Sequence, residues 1–387
     1  MKIAEARLDE LELDLVEPFE TSFGVERTRR FLLLRLETPD GSTGFGECAA
    51  ALHPLYSSES VATAREMLVR HFLPWVLEAP SATPQSFRTA AARFRGHSMA
   101  KATVESALID LSAQAENRSV AGYLGGRRRR VEVGVSVGIQ RTVPALVRRV
   151  GQYLSDGYHR VKLKVRPGWD ADPVGAVRRE YPEVELWVDA NQAYPTSAVD
   201  RIRSWAERYE VAQVEQPFHE RAIRAHAALA RGAKFRVCLD ESIVDDASLE
   251  DALEARAITS LNVKAGRVGG MLAGRSLARR AARAGIPAWV GGMLESGIGR
   301  ALNVHLAALQ PFNLPGDLSA SRRYYEEDLI DPPFELGPGS TLSVPKGPGI
   351  GVTVSERRLR RSLRTSRTFR RNGSVSAGDR IGLRRSA

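Results

Sequence analysis

The 387-residue sequence predicts an α/β protein in which a (β/α)₈-type barrel follows an N-terminal α+β module. Three observations carry this. Beyond Arg130, short β-rich runs alternate with helical ones, the pattern of a parallel sheet whose strands are joined by helices. Eight such runs can be counted, the number that closes a barrel. Ionisable residues also recur near the C-terminal ends of five successive runs, at intervals of 24–26 residues: Lys164, Asp189, Glu215, Asp240 and Lys264.

The N-terminal module begins with β patterns, IAEARLDELELDLV and RRFLLLRLET, then a turn at Pro39–Asp40–Gly41 and the run TGFGEC. Asp-Gly after proline is a turn signal because glycine supplies positive φ. The stretch EPFETSFGVERT, with Phe19 and Phe23, is expected to be a loop. In SMAKATVESALIDLSAQAEN, Val104, Ala107, Leu108, Leu111 and Ala115 share one helical face, and Ser98 is placed to cap its start. The barrel runs follow in order: VEVGVSVG, RVKLKV, VELWVDAN, VAQVEQP, FRVCLDES, SLNVKAG, IPAWVGG and NLPGDL, the last being the weakest. The expected organisation is a capping domain at 1–125, a barrel at 126–315, a segment at 316–355 that completes barrel and cap, and a basic disordered tail at 356–387.

Composition bounds the function. With 43% hydrophobic and 26% charged residues the chain reads as an ordinary globular protein. It has no apolar run of membrane-spanning length, and its N-terminus has no signal-like apolar core. Two distant cysteines, Cys48 and Cys238, make neither a disulfide framework nor a zinc cluster, so a reducing cytoplasm is expected. The net charge of +10 belongs to the tail. From Glu356 onward there are eleven arginines and two acids, so the remainder is nearly neutral. Such a tail could touch nucleic acid or anionic lipid, but a solvated extension without a partner is the plainer reading. A nucleic-acid-binding or scaffold protein acting through this tail is therefore the alternative of a different class.

The five spaced residues would ring one mouth of the barrel as lysine, acid, acid, acid, lysine. Three carboxylates brought together repel, and a cation or raised pKa values would relieve them. Hard oxygen donors suit Mg²⁺, with Mn²⁺ as a substitute, and the lack of histidine and cysteine in the ring argues against zinc. Lysines flanking a cation suit proton transfer next to a carboxylate. To act as a base a lysine must fall from about 10.4 to about 7–8, and a neighbouring positive charge helps. Lys162, two residues from Lys164 on the same strand face, supplies such a charge.

The motifs KLK, DAN, VEQP, LDES and NVKAGRVGG resemble the enolase superfamily in its muconate-lactonizing subgroup. The stretches GECAAALHPLYSSES, GHSMAKATVESALID, WVGGMLESGIGRALN and LPGDLSASRRYYEED resemble the o-succinylbenzoate synthase / N-succinylamino acid racemase family, also known for N-acylamino acid racemase activity. The resemblance runs from about residue 1 to 355 and implies an enolase-like, modified barrel with an α+β cap. It implies Mg²⁺ on Asp189, Glu215 and Asp240, and acid/base roles for Lys164 and Lys264 on opposite faces of the substrate α-carbon. Lys162 would hold the substrate carboxylate, Asn191 and Glu241 would support the metal or its ligands, and Arg267 would stand near the second lysine. Phe19, Phe23 and Tyr56 would form the cap side of the pocket, and Ser136, Gly292, Met293 and Leu294 its barrel side. The implied reaction is dehydration of 2-succinyl-6-hydroxy-2,4-cyclohexadiene-1-carboxylate in menaquinone biosynthesis, racemisation of N-acylamino acids, or both. Dipeptide epimerases and muconate cycloisomerases share the ring and remain alternatives. The expected partner is a small-molecule carboxylate, and a homo-oligomer is expected.

Overall fold

The computed structural model describes residues 1–371 and 375–377. Its N-terminal sheet is antiparallel: β1 (Glu5–Glu20), β2 (Val25–Glu37) and β3 (Thr43–Cys48). The segment expected as a loop is mostly strand. After a register shift beyond Asp14, the β1–β2 ribbon resumes with Phe19 opposite Glu26, and Thr21 N–H donates to Gly24 O at 2.9 Å to close its tip. The loop reading failed because two polar-rich arms can pair backbone to backbone without an apolar alternation. Phe19 is thereby carried over the barrel, where it is buried.

The two faces of β2 serve different cores. Leu32, Leu34 and Leu36 pack on the cap helices, while Phe31 and Leu33 join the core shared with the barrel. The helix Ser98–Ala115 lies close over β3. A Cβ on Gly46 would stand 1.9 Å from Thr103 O, so only glycine permits this approach. Ser98 does not cap this helix. His97 holds the N-cap position without a side-chain bond, and Glu59 accepts from the N–H groups of Met99 (2.7 Å) and Ala100 (3.0 Å) instead. A carboxylate from a distant loop satisfies the helix end as a serine would have done, and adds a favourable charge.

Before the barrel, the short β4 (Arg130–Glu132) pairs antiparallel with Thr341–Ser343, and the barrel strands follow as β5 (Val135–Val137), β6 (Arg160–Lys164), β7 (Glu185–Asp189), β8 (Gln213–Glu215), β9 (Arg236–Leu239), β10 (Ser260–Val263) and β11 (Ala288–Val290). Strands β5 to β11 form one parallel sheet of seven in sequence order. The first expected run divides at Gly134, where a Cβ would collide with the Arg160 guanidinium. The eighth run, NLPGDL, is not a strand. It nevertheless closes the ring through scattered backbone bonds, Gly134 N–H to Gly316 O at 2.8 Å and Gly316 N–H to Glu132 O at 2.9 Å on one side, and Asn313 N–H to Ala288 O at 2.9 Å and Asp317 N–H to Val290 O at 3.0 Å on the other. Pro315 lacks an N–H and interrupts any ladder there.

Two further carboxylates tie cap to barrel. Glu47 on β3 accepts from Ser296 N–H (2.9 Å), Ser296 Oγ (2.5 Å) and Gly299 N–H (3.0 Å), at the start of the barrel helix Gly297–Ala307. Glu105 accepts from Leu272 N–H at 3.2 Å, at the start of the barrel helix Met271–Arg283. Burial pushes both carboxyls up to about 7. Among the described residues no helix is long and apolar enough to cross a membrane, and both cysteines are buried and unpaired.

The expected disorder of the tail is corrected for its first part. Glu356–Ser362 is helical, and Leu363–Arg370 is a strand paired antiparallel with β1. The charge count concealed this because β1 is acid-rich and would otherwise present a free edge. Arg370 pairs with Glu5 at 3.0 Å, Arg364 with Glu12, and Arg361 with Glu327 at 2.8 Å. Arginines that were candidates for contact with nucleic acid thus meet the chain's own acids. Leu359 and Phe369 are buried. The remainder of the tail, 372–374 and 378–387, lies outside the described residues. Burying two such side chains contributes about 3–6 kcal/mol, so a chain ended at Ser355 should melt several degrees lower and self-associate through the exposed edge of β1. Thermal unfolding and size-exclusion chromatography check this, and an unchanged melting temperature would show that the strand contributes nothing.

Candidate active site

Strand register places the site. Lys164 on β6 lies opposite Asp189 on β7, which lies opposite Glu215 on β8. Asp240 follows β9 and Lys264 follows β10, so all five stand at the C-terminal mouth. Residues alternate in and out along each strand. Val161, Leu163, Val188, Val214, Val237, Leu261 and Val263 face outward into the aliphatic core under the helices. Their neighbours face inward, and the inside of this barrel is charged and aromatic where other barrels are filled with aliphatic layers. Arg160, Lys162, Trp187, Glu215, Asn262 and Trp289 are all buried there.

Each inward charge has a partner. Lys164 Nζ lies 2.6 Å from Asp189 Oδ2 and 2.7 Å from Asn191 Oδ1. Lys162 Nζ meets Glu215 Oε2 at 2.5 Å and Asp317 Oδ2 at 2.6 Å. Lys264 Nζ lies 2.6 Å from Asp240 Oδ2 and donates to Tyr56 Oη at 3.2 Å. Tyr56 Oη in turn donates to Asp240 Oδ1 at 2.8 Å, and Arg267 Nη1 pairs with the same oxygen. The cap covers both lysines with aromatic rings: Phe19 lies 6.0 Å from Lys164 Nζ and Tyr56 4.3 Å from Lys264 Nζ, measured to the ring centroids.

These pairings fix the charge states. Burial alone would lower Lys264, but the Asp240 carboxylate overrides it and holds the ammonium well above its usual range. Lys162 is likewise raised, against its burial, by Asp317 and Glu215. The expected depression of a lysine therefore does not describe Lys264 in this state. Among the acids, burial pushes Asp189 up, yet Lys164 and Lys162 keep it below the ordinary carboxylate range. Burial and the charge of Asp189 push Glu215 up to about 7, and burial with Asp240 and Asp189 pushes Glu241 up to about 8.

Among the described residues, Asp189, Glu215 and Asp240 are not drawn together into a ready metal cluster. Each is held by an ammonium instead. The donor set still fits a hard divalent cation: all three donors are buried carboxylates, and Glu215 and Glu241 are raised by their acidic neighbours. Glu241 Oε2 is also buried without a hydrogen-bond partner. Asn191 joins these groups, its N–H on Asp189 Oδ1 at 3.0 Å and its Nδ2 on Glu241 Oε1 at 3.3 Å.

A cavity of about 370 Å³ opens over this ring between cap and barrel. Phe19, Phe23, Tyr56, Ser136, Lys162, Lys164, Asp189, Asn191, Lys264, Gly292, Met293 and Leu294 all line it. Glu215, Asp240, Glu241 and Arg267 do not line it and stand behind that surface. Sequence reasoning missed Asp317 and Tyr324, which also line it. Asp317 accepts from Ser136 Oγ at 3.0 Å and Arg160 Nη1 at 2.6 Å. The spacing contained the signal: 53 residues, two barrel units, separate Lys264 from Asp317.

Known proteins resemble this chain over both of its domains. Residues 4–125 match the mandelate racemase / muconate lactonizing enzyme N-terminal domain, and residues 145–358 match the enolase C-terminal domain-like family. The chain is 45% identical over 353 residues to an N-succinylamino acid racemase of Amycolatopsis sp, covering 91% of this chain and 95% of the relative. It is 39% identical over 359 residues to an o-succinylbenzoate synthase of Enterococcus faecalis V583, covering 93% and 97%. A crystal structure of an enolase superfamily member from Listeria innocua Clip11262 superposes with a TM-score of 0.91 at 37% identity, covering 96% of this chain and all of that one. With its fold, its mouth of three acids flanked by lysines, and these relatives, the chain belongs to the enolase superfamily, in its muconate-lactonizing subgroup, alongside the o-succinylbenzoate synthases and N-succinylamino acid racemases.

Proposed function

We propose that this enzyme removes a proton α to a carboxylate, and that it acts as an o-succinylbenzoate synthase, an N-succinylamino acid racemase, or both. The observation that carries the reading is the pair of buried lysines, Lys164 and Lys264, four strands apart at one barrel mouth and lining one cavity. In a ring of eight positions, four steps is half the circumference, so the two side chains approach a bound α-carbon from opposite sides.

Asp189, Glu215 and Asp240 are the residues that would hold Mg²⁺, with Mn²⁺ as substitute, and Glu241 and Asn191 would support them. When bound, the cation supplies positive charge to these carboxylates and to the substrate carboxylate, which favours the enediolate electrostatically. The chain's own residues do the rest. Lys162, fixed between Glu215 and Asp317, presents a buried positive charge to the substrate carboxylate. Phe19 and Tyr56 exclude water from the lysines, which strengthens each charge interaction. In racemisation one lysine takes the α-proton and the other returns a proton to the opposite face. In dehydration one lysine takes the α-proton and passes it to the β-hydroxyl on the same face, which leaves as water as the ring becomes aromatic. Lys264 then stands as a fixed ammonium beside the enediolate. Both outcomes use the same first step, so a single site serves either substrate.

Lys164→Ala and Lys264→Ala should each abolish racemisation of an N-succinylamino acid. Each variant should still exchange the α-hydrogen of one enantiomer with solvent deuterium, and the two variants should retain opposite enantiomers. Proton NMR of separate enantiomers in D₂O reads this directly. Parent-rate racemisation by Lys264→Ala would show that water or another group serves that face.

Chelation should remove activity, and added Mg²⁺ should restore it. Titration calorimetry of the chelated protein with Mg²⁺ should show one site, absent in Asp240→Asn. Full turnover in excess chelator would overturn the metal assignment.

A further inference from the structure

A buried arginine stands behind each lysine side of this pocket. Arg267 lies against Asp240 beside Lys264. Arg323, in the short helical turn Ser321–Arg323, stands behind the wall on the Lys164 side. Its ion pair is with Glu17 of the cap, at 2.9 Å. Its guanidinium carbon lies 4.8 Å from the ring centroid of Tyr324, 5.0 Å from that of Tyr153 and 5.7 Å from that of Phe19. Its Nη2 donates to Ser136 O at 2.9 Å. Phe19, Tyr324 and Ser136 line the cavity, whereas Arg323 touches all three from outside it.

The cap needs such a hold where Glu17 lies. The strand Leu363–Arg370 pairs with β1 only as far as Leu11. Between Asp14 and Phe19 the register with β2 also shifts, so residues 15–18 have no paired residue on either side. The barrel catches this stretch instead: Val16 N–H donates to Tyr324 O at 2.9 Å. Glu17 collects Arg323, Arg149 and the Tyr153 hydroxyl, the last at 2.9 Å. Two residues further on, Phe19 packs over Lys164. A planar guanidinium can pair with an acid at its edge and stack on aromatic rings with its faces, which an ammonium cannot do. We infer that Arg323 is a positioning residue for proton transfer at Lys164: paired with Glu17 and stacked on Phe19, it seats that ring over the lysine and so governs one of the two faces of the reaction. The inference rests on the proposed α-proton chemistry and gives a role to a residue outside the cavity. Tyr56, which covers Lys264, belongs to the loop after β3 and donates to Asp240, so its placement is independent of Arg323. A loosened Phe19 would admit water to Lys164 alone, weakening its charge interactions and its aim at the α-carbon.

The test follows loss of the α-proton from each enantiomer of an N-succinylamino acid in D₂O, on the full chain with Mg²⁺. The enantiomer that Lys264→Ala still exchanges is the one that Lys164 serves. Glu17→Gln keeps an acceptor for Tyr153 and removes the charge. It should slow exchange of that enantiomer by about 10-fold and leave the other within about 2-fold. Arg323→Met should do the same, and Arg323→Lys, which keeps the charge without the planar stack, should recover part of the rate. Should Arg323→Met fail to fold, Glu17→Gln and Arg323→Lys still decide. An equal fall for both enantiomers would leave Arg323 as a structural support of the seam, and unchanged exchange of both would show that Phe19 is seated without it; either result overturns the inference. Exchange of neither enantiomer by the parent would instead overturn the underlying reaction, and the inference with it.

Discussion

Charge balance inside the barrel is the constraint on which the rest depends. Lys162, Lys164, Lys264, Arg160 and Arg267 are buried with Asp189, Glu215, Asp240 and Glu241, and the part-buried Asp317 pairs with Lys162 and Arg160 beside them. No member of such a set is tolerable alone, because an uncompensated charge in a low-dielectric interior is costly. The strand register, the glycine break at Gly134 and the irregular eighth segment can all be understood as accommodating that set. Arg160 illustrates it. Its guanidinium fills the space that a Cβ on Gly134 would need, rests 4.4 Å from the Trp187 ring, and donates to Pro315 O, Gly316 O and Asp317 Oδ1. One buried cation thereby holds the seam where regular strand pairing is missing.

The same balance explains why Lys162 and Lys264 stand as ammonium ions. A lysine against a carboxylate keeps its proton, and a lysine relieved of that carboxylate can give it up. A proton-transfer site of this kind therefore needs the acids to be engaged elsewhere while the chemistry proceeds. Burial and the charges of Asp189 and Asp240 already raise Glu215, so this acid is suited to such a handover.

Much of this was legible in sequence, and the physical reasons for the exceptions differ. The spacing of Lys164, Asp189, Glu215, Asp240 and Lys264 gave the mouth because one strand, one helix and two short loops have a nearly fixed length. The alternation at Lys162 and Lys164 gave the inward face because side chains on a strand repeat every two residues. Asp317 was missed because its run contains Pro315 and carries no strand pattern, although the spacing series reaches it. Ser98 was assigned a capping role that Glu59, 39 residues earlier in the chain, performs. The tail was judged by net charge, and its edge-strand pairing depended on acids at the far end of the chain.

The cap is bound to the barrel by more than apolar contact. Glu47 and Glu105 each reach across and satisfy the open N–H groups at the beginning of a barrel helix, and the helix with Glu47 at its start follows the loop of Gly292, Met293 and Leu294. Cap and barrel are consequently not interchangeable parts. A cap borrowed from a relative would leave two helix ends unsatisfied, and would displace a wall of the pocket, unless it brought an acid to both positions. Diversification of this enzyme is accordingly easier by single changes along β2 and the loop after β3 than by exchange of whole domains.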